Sequence, residues 1–459
     1  SSDLHRRGLE RHPGAGLAPV GGAERVGGTG SHLVRSFGRA GHLIPPGSSS
    51  SRVAIDRHGR ILVASGNRHA LLVTRYGPQG RLDRGYGEGG RAEVSLERFV
   101  RRPDPEQEAG GSGVAEPSAI GVAPNGKVFV AGTIDTDLGG GTGGRSLLAA
   151  LRPNGAIARS FAGPHDANPF PGQRELELTV HAIVPHGGKL LLAGQSGSKA
   201  VVDRLEADSR FDPTFGVGRR PGQVALPPPP QNRTRYFANA GFEGVLPGPH
   251  GTIYAAGFDL GALMLVRLKP DGSLDRDFAG HGILELNPST RRACACFTRG
   301  YLARDPRGRL LVAGSLEETS GVSHHKQVVV VRFAPDGRVD RGFGIRGFAR
   351  LGTGTTTAAS GLNVDHRGRI ILVGSAPVAH PAAEAPPTGL AVFRLTADGS
   401  PDRSFFGDGL FSSRFHSRAA GASNLVIAPD GDLLVAGVLL RRSRAHNLTL
   451  GVLARILSD

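Results

Sequence analysis

A chain of 459 residues, 39% of them hydrophobic, is long enough to bury a large core, and 70 Gly and 32 Pro fall short of a disordered composition. The net charge of +15 is nearly all Arg, since Lys occurs only at Lys127, Lys189, Lys199, Lys269 and Lys326, and such an excess among abundant Ala, Gly and Pro reads as codon bias before it names an anionic partner. Aromatic residues at 5% with no Trp leave no stacking platform for nucleic acid, and no uncharged apolar run of roughly 18 residues is present to cross a membrane.

Residues 1–30 are rich in Gly, Arg, Pro and Ala without apolar periodicity and read as a disordered leader, followed by a single folded domain over 31–459. The only methionine is Met264, so the chain is expected to have been trimmed, by loss of an export signal or by excision. The folded part opens in mid-pattern, with Val34 to Gly38 and then Gly41 to Ile44. A full unit follows: Val53-Ala54-Ile55, a His58-Gly59 turn, Ile61 to Ala64, Leu71 to Tyr76, and Arg91 to Leu96. Four short runs separated by Gly-containing turns predict a four-stranded antiparallel sheet, its strands A to D.

The unit recurs seven times. Its second strand ends at Gly66, Gly132, Gly194, Gly257, Gly314, Gly374 and Gly437, spaced by 57 to 66 residues. Its third strand ends in Arg or an equivalent at Arg75, Leu151-Arg152, Arg204, Arg267, Arg332, Arg394 and Arg455. The last unit lacks a fourth strand, while the N-terminus carries a spare one. Pairing the two removes both bare edges, so the expected fold is all-β: a seven-bladed β-propeller of four-stranded antiparallel blades, its ring closed by the N-terminal strand completing the last blade.

The stretches DPRGRLLVAG (305–314), VVRFAPDGRVDRGFG (330–344) and LVRLKPDGSLDRDFAGHG (265–282) resemble the bacterial delta-sixty repeat. The resemblance runs over roughly 32–459 and departs most where Ala156-Ile157-Ala158-Arg159 replaces the LDxxF element. It implies a propeller-like repeat and export to the cell surface or beyond, and brings no catalytic residues.

Asp83, Asp275, Asp340 and Asp402 are read as turn residues satisfying backbone donors, with a metal-binding ring as the sharper alternative. The strand-C arginines are expected to pair with these aspartates between blades. Phe37, Phe215, Phe278, Phe343 and Phe406 are expected to fill the gaps between sheets. Cys294 and Cys296 are free thiols, a strained local disulfide or a redox or metal pair. His324-His325 with Glu317 and Glu318 is the most metal-like group, but adjacent histidines rarely converge, so neither metal nor cofactor is expected.

The A–B and C–D turns repeat almost unchanged, whereas the B–C and D–A connections, which emerge on the opposite face, vary throughout. Loops on a rigid scaffold carry function, so the variable face is expected to bind. Arg233, Arg235, Arg291, Arg292, Arg414, Arg441 and Arg442 on that face suit two-pronged recognition of carboxylate or phosphate. The first reading is a secreted or surface scaffold, a monomer, engaging a protein or an anionic glycan or cell-wall polymer. The alternative is a hydrolase or lyase at the mouth of the central channel, using His181, Glu243, Tyr301 and Asn424, which precede or begin strand A and approach the axis.

Overall fold

The computed structural model describes residues 33–47, 51–67, 69–96, 116–134, 144–162, 171–216, 220–226, 240–259, 261–287, 294–320, 323–352, 357–378, 388–442 and 447–458. Among them, 28 strands form seven four-stranded antiparallel sheets. Blades 1 to 6 span 52–95, 116–176, 179–225, 240–286, 294–351 and 358–413. Blade 7 joins 419–456 to the short strand His42–Leu43. Each inner strand A touches the inner strands on both sides, and that of blade 7 returns to that of blade 1, so the sheets close into a seven-bladed propeller. His42 and Leu43 pair with Ala454 and Leu453 as the fourth strand of the last blade, as the split repeat requires. No helix among the described residues is long and apolar enough to cross a membrane.

Burial follows position in the blade. Strands B and C lie between neighbouring sheets and are covered on both faces, which is why Ile61–Gly66 and Ala70–Tyr76 are buried throughout. The outer strand Arg91–Ser95 faces water on one side and alternates exposed and buried. The core is therefore seven apolar layers between blades rather than one centre. Each layer holds one aromatic of the repeated turn, at 0–2% exposure: Phe37, Tyr86, Phe161, Phe215, Phe278, Phe343 and Phe405. In blade 6 that residue is Phe405, not the expected Phe406: its N–H donates to Asp402 O as that of Phe343 does to Asp340 O, and Arg394 lies over its ring at 4.5 Å.

The strand-C arginines pair with the aspartates of their own blade, not across blades as expected. Arg75 Nε lies 2.8 Å from Asp83, Arg267 Nε 2.7 Å from Asp275 and Arg332 Nε 2.9 Å from Asp340. The link to the next blade runs through the other end of the guanidinium, which donates to a turn carbonyl: Arg204 to Pro270 O at 2.6 Å, Arg267 to Pro335 O at 3.3 Å, and Arg455 to Pro78 O across the closure. The same cation sits over the interblade aromatic, as Arg332 does over Phe343 at 4.6 Å. In blade 7 Arg455 meets Asp432 of its A–B turn at 2.8 Å.

Blade 2 corrects the expected register. Ala150, not Arg152, occupies the arginine position, since it pairs with Phe129 as Arg75 pairs with Leu62. Lys127 substitutes, with Nζ 5.3 Å from the Phe161 ring centre and 3.0 Å from Ala207 O of blade 3. A cation on an aromatic reaching the next blade's turn is thus kept even where the repeat is lost.

Candidate axial site

Six of the seven inner strands are bulged at one position: their pairing with strand B skips Ser118, His181, Glu243, Ser360 and Ser423, and in blade 5 both Arg299 and Gly300. In blade 1 the equivalent residue is Ser51, which precedes the strand. The bulge crowds strand B. A Cβ on Gly194, Gly257 or Gly374 would run into the carbonyl oxygen of Thr179, Gly241 or Ala358, which explains the glycine ending that strand.

A bulged side chain faces the neighbouring inner strand near the end where the chain enters each blade, the side of the non-repeating connections. Serine at this position ties blades together: Ser360 donates to Ala422 O at 2.6 Å and Ser423 to Ser51 O at 2.7 Å. His181 makes the equivalent contact, its Nδ1 lying 3.1 Å from Phe242 O. Blades 3, 4 and 5 in succession replace serine with chemistry-bearing groups. His181 Nδ1 is also 3.4 Å from Glu243 Oε1, and Arg299 Nη1 is 3.0 Å from the same oxygen. The Glu243 side chain is 4% exposed, while that of Arg299 is 53% exposed. Both neighbours of His181 Nδ1 are acceptors, so this nitrogen carries the proton and Nε2 keeps its lone pair in the neutral ring.

The residue after the bulge forms a second tier. Arg52, Tyr301 and Asn424 share it, each pairing with the alanine before the end of strand B: Ala64, Ala313 and Ala436. Arg52 Nε donates to Ser118 O at 3.0 Å, and its Nη1 reaches only its neighbour Ser51 O, at 3.5 Å. Burial pulls the Arg52 guanidinium below its ordinary value against the influence of Tyr301, Glu243 and Glu116, and Arg299 adds to the lowering. Burial, reinforced by Glu243, pushes the Tyr301 phenol well up, so it is a proton donor at neutral pH. Glu243 in turn raises Arg299.

Of the sequence-derived channel candidates, His181, Glu243 and Tyr301 are brought into one electrostatic cluster. Asn424 is spent on closure: its Oδ1 accepts from Val53 N at 2.9 Å and its Nδ2 donates to Val53 O at 3.0 Å, a strand-like pair between blades 7 and 1. Arg233, Arg235, Arg291 and Arg292 lie outside the described residues, as do the side chains of Arg442, His324, His325 and Cys294. Arg414 and Arg441 lie on blades 6 and 7, where Arg441 faces the outer strand through its influence on His42. Cys296 is an exposed free thiol. The B–C connection of blade 5, one of the variable ones, is largely strand, Leu310–Ser320 pairing with Ser323–Phe333. Among the described residues no three His, Cys, Asp or Glu side chains are placed to hold a metal. Sequence reasoning missed Arg52 and Arg299; aligning the units on the strand-B alanine places Arg52 beside Tyr301.

The repeated-turn face carries a cleft of about 420 Å³ between blades 3 and 4, walled by Lys189, Arg204, Thr252 and Pro270. Its cations are committed: Lys189 Nζ lies 2.7 Å from both Glu206 and Asp212, and Arg204 Nε 2.5 Å from Asp212. Burial opposes ionisation of Asp212, but hydrogen bonds from Lys189, Thr214 and Arg204 outweigh it and hold the carboxyl well below the usual range.

Fold and site together define a β-propeller with a polar axial mouth. Residues 249–278 and 368–405, the B–C–turn portions of blades 4 and 6, match the family described as a domain of unknown function (DUF5122) beta-propeller. No curated protein matches. Similar solved structures include the polysaccharide lyase Uly1 (13% identity, 92% of each chain, TM-score 0.47) and the NanB sialidase of Streptococcus pneumoniae (10%, 89% of this chain and 68% of that one, 0.41). Another is the α-L-arabinofuranosidase Arb93A of Fusarium graminearum (10%, 88% and 92%, 0.39). Likenesses of this size carry no functional weight.

Proposed function

We propose that the protein is a ligand-binding propeller whose axial mouth, on the side of the non-repeating connections, holds the anionic group of a glycan or cell-wall polymer. The observation that carries the reading is Arg52: among the described residues no carboxylate lies within ion-pair distance of a guanidinium turned into the channel. A partly desolvated cation without a counter-charge is unfavourable, and the planar fork of Arg matches a carboxylate through two parallel hydrogen bonds. The surplus positive charge of the chain is compatible with a polyanion as ligand. The resemblance to exported repeat proteins supports a polymer of the cell surface or beyond as the ligand.

The test is retention on immobilised polygalacturonate against uncharged dextran. The wild type is retained on the acidic matrix alone, and Arg52→Gln, which keeps a donor for Ser118 O, binds about tenfold or more weakly. Equal retention of the two proteins, or equal retention on both matrices, overturns the reading. A second reading, a hydrolase or lyase at the same mouth, is favoured by one observation, the contact of His181 with the buried Glu243.

A further inference from the structure

Serine suffices to tie the blades together, as Ser360 and Ser423 show, so His181, Glu243 and Arg299 exceed what the ring requires. Their arrangement is that of an oriented base: Arg299 and the Phe242 carbonyl fix Glu243 and His181, and the lone pair of His181 Nε2 is left free. Tyr301 and Arg52, at one register on blades 5 and 1, add a hydroxyl donor and an uncommitted cation at the same height along the axis.

We infer that the axial cluster is an acid–base site that eliminates a C–O bond β to a carboxylate, cleaving a uronate-containing glycan; this rests on Arg52 holding the carboxylate as proposed above. Neutralising the carboxylate acidifies the hydrogen on its α-carbon. His181 Nε2 takes that proton. The C–H electron pair forms a double bond to the neighbouring carbon, the bond from that carbon to the glycosidic oxygen breaks, and the oxygen leaves with the proton of the Tyr301 hydroxyl. Glu243 stabilises the imidazolium so formed. Proton exchange with water returns both side chains to their starting forms.

The experiment mixes the protein with polygalacturonate and, separately, with hyaluronate. It follows the ultraviolet absorbance of the new conjugated C=C bond, the release of reducing ends, and binding. Absorbance and reducing ends should rise together. His181→Ser, which the repeat itself shows to preserve the interblade hydrogen bond, should retain binding and lose about 100-fold or more in rate, and Tyr301→Phe should do likewise. Binding that depends on Arg52 with no absorbance change on either polymer overturns the elimination and leaves the binding reading standing. Reducing ends without absorbance mean hydrolysis and overturn it too, as does an unchanged rate in His181→Ser. Loss of Arg52-dependent binding removes both readings.

Discussion

Asp203 sits on the third strand of blade 3 at 1% exposure, with Gln223 donating to its Oδ1 at 2.9 Å. Burial raises its pKa to about 7 against the pull of Gln223, Arg174 and Arg220. Between the ordinary carboxylate value and about 7 the folded chain binds more protons than the unfolded one, so stability falls as pH rises through that window, by up to ~4 kcal/mol. Asp203→Asn should therefore be more stable than wild type at about pH 8 and lose that advantage near pH 4; urea denaturation at the two pH values checks it, and a pH-independent difference refutes it. Arg332, at 5% exposure, carries a blade's link to its neighbour. Arg332→Ala should cost about 3 kcal/mol in the same assay, since the Ala397 carbonyl loses its donor and Asp340 keeps only the longer contact to Arg309 at 3.4 Å beside its backbone bond from Gly342. Arg332→Lys should restore less than half, because an ammonium cannot serve carboxylate, carbonyl and ring together. The pattern of these residues is legible in the repeat, but their partners are not: whether a guanidinium meets its own aspartate or a neighbour's depends on how blades stack.

At the scale of the element, the glycine ending strand B marks the bulge in strand A opposite it. A Cβ on Gly257 would meet the Gly241 carbonyl, with Phe242 Cα at 2.8 Å, whereas one on Gly421 meets nothing within 4 Å. Gly257→Ala should lower stability by about 3 kcal/mol and Gly421→Ala by less than ~0.5 kcal/mol; similar melting temperatures for the two would show that the bulge tolerates displacement. Six copies of this glycine are visible in the chain, with Ser65 at the same register in blade 1, yet the bulge is not. An extra residue shifts the inward–outward alternation by one beyond it, and in so short a strand a phase change cannot be told from ordinary irregularity. The bulge is nevertheless what turns His181 and Glu243 toward each other.

The last blade is completed by the shortest strand among the described residues, the two-residue His42–Leu43. His42 packs on Phe415 with ring centres 4.9 Å apart, and its Nδ1 is buried without a hydrogen-bond partner. Burial pulls its pKa down against a backbone hydrogen bond at Ala40, and the charges of Arg441, His416 and Arg39 pull the same way. A depressed folded value means that this stability is present above the ordinary imidazole value, about 6.5, and is lost as pH falls below it, opposite in sign to Asp203. Hydrogen exchange over 33–47 should accelerate between about pH 7.5 and pH 5, after correction for intrinsic rates, and His42→Gln should remove the difference; equal acceleration in both proteins would exclude His42 as the cause.

Repeat number, blade size, strand order and closure by the N-terminal strand were all determined by the sequence alone, because each follows from local periodicity and from the need to leave no strand edge bare. Which residues meet at the axis was decided only by the tertiary structure. His181, Glu243, Arg299 and Arg52 come from four blades, separated by 56 to 129 residues of chain where they are not already close in order along it. Their convergence depends on bulge placement, blade tilt and the closing of a seven-membered ring, quantities that no single repeat contains.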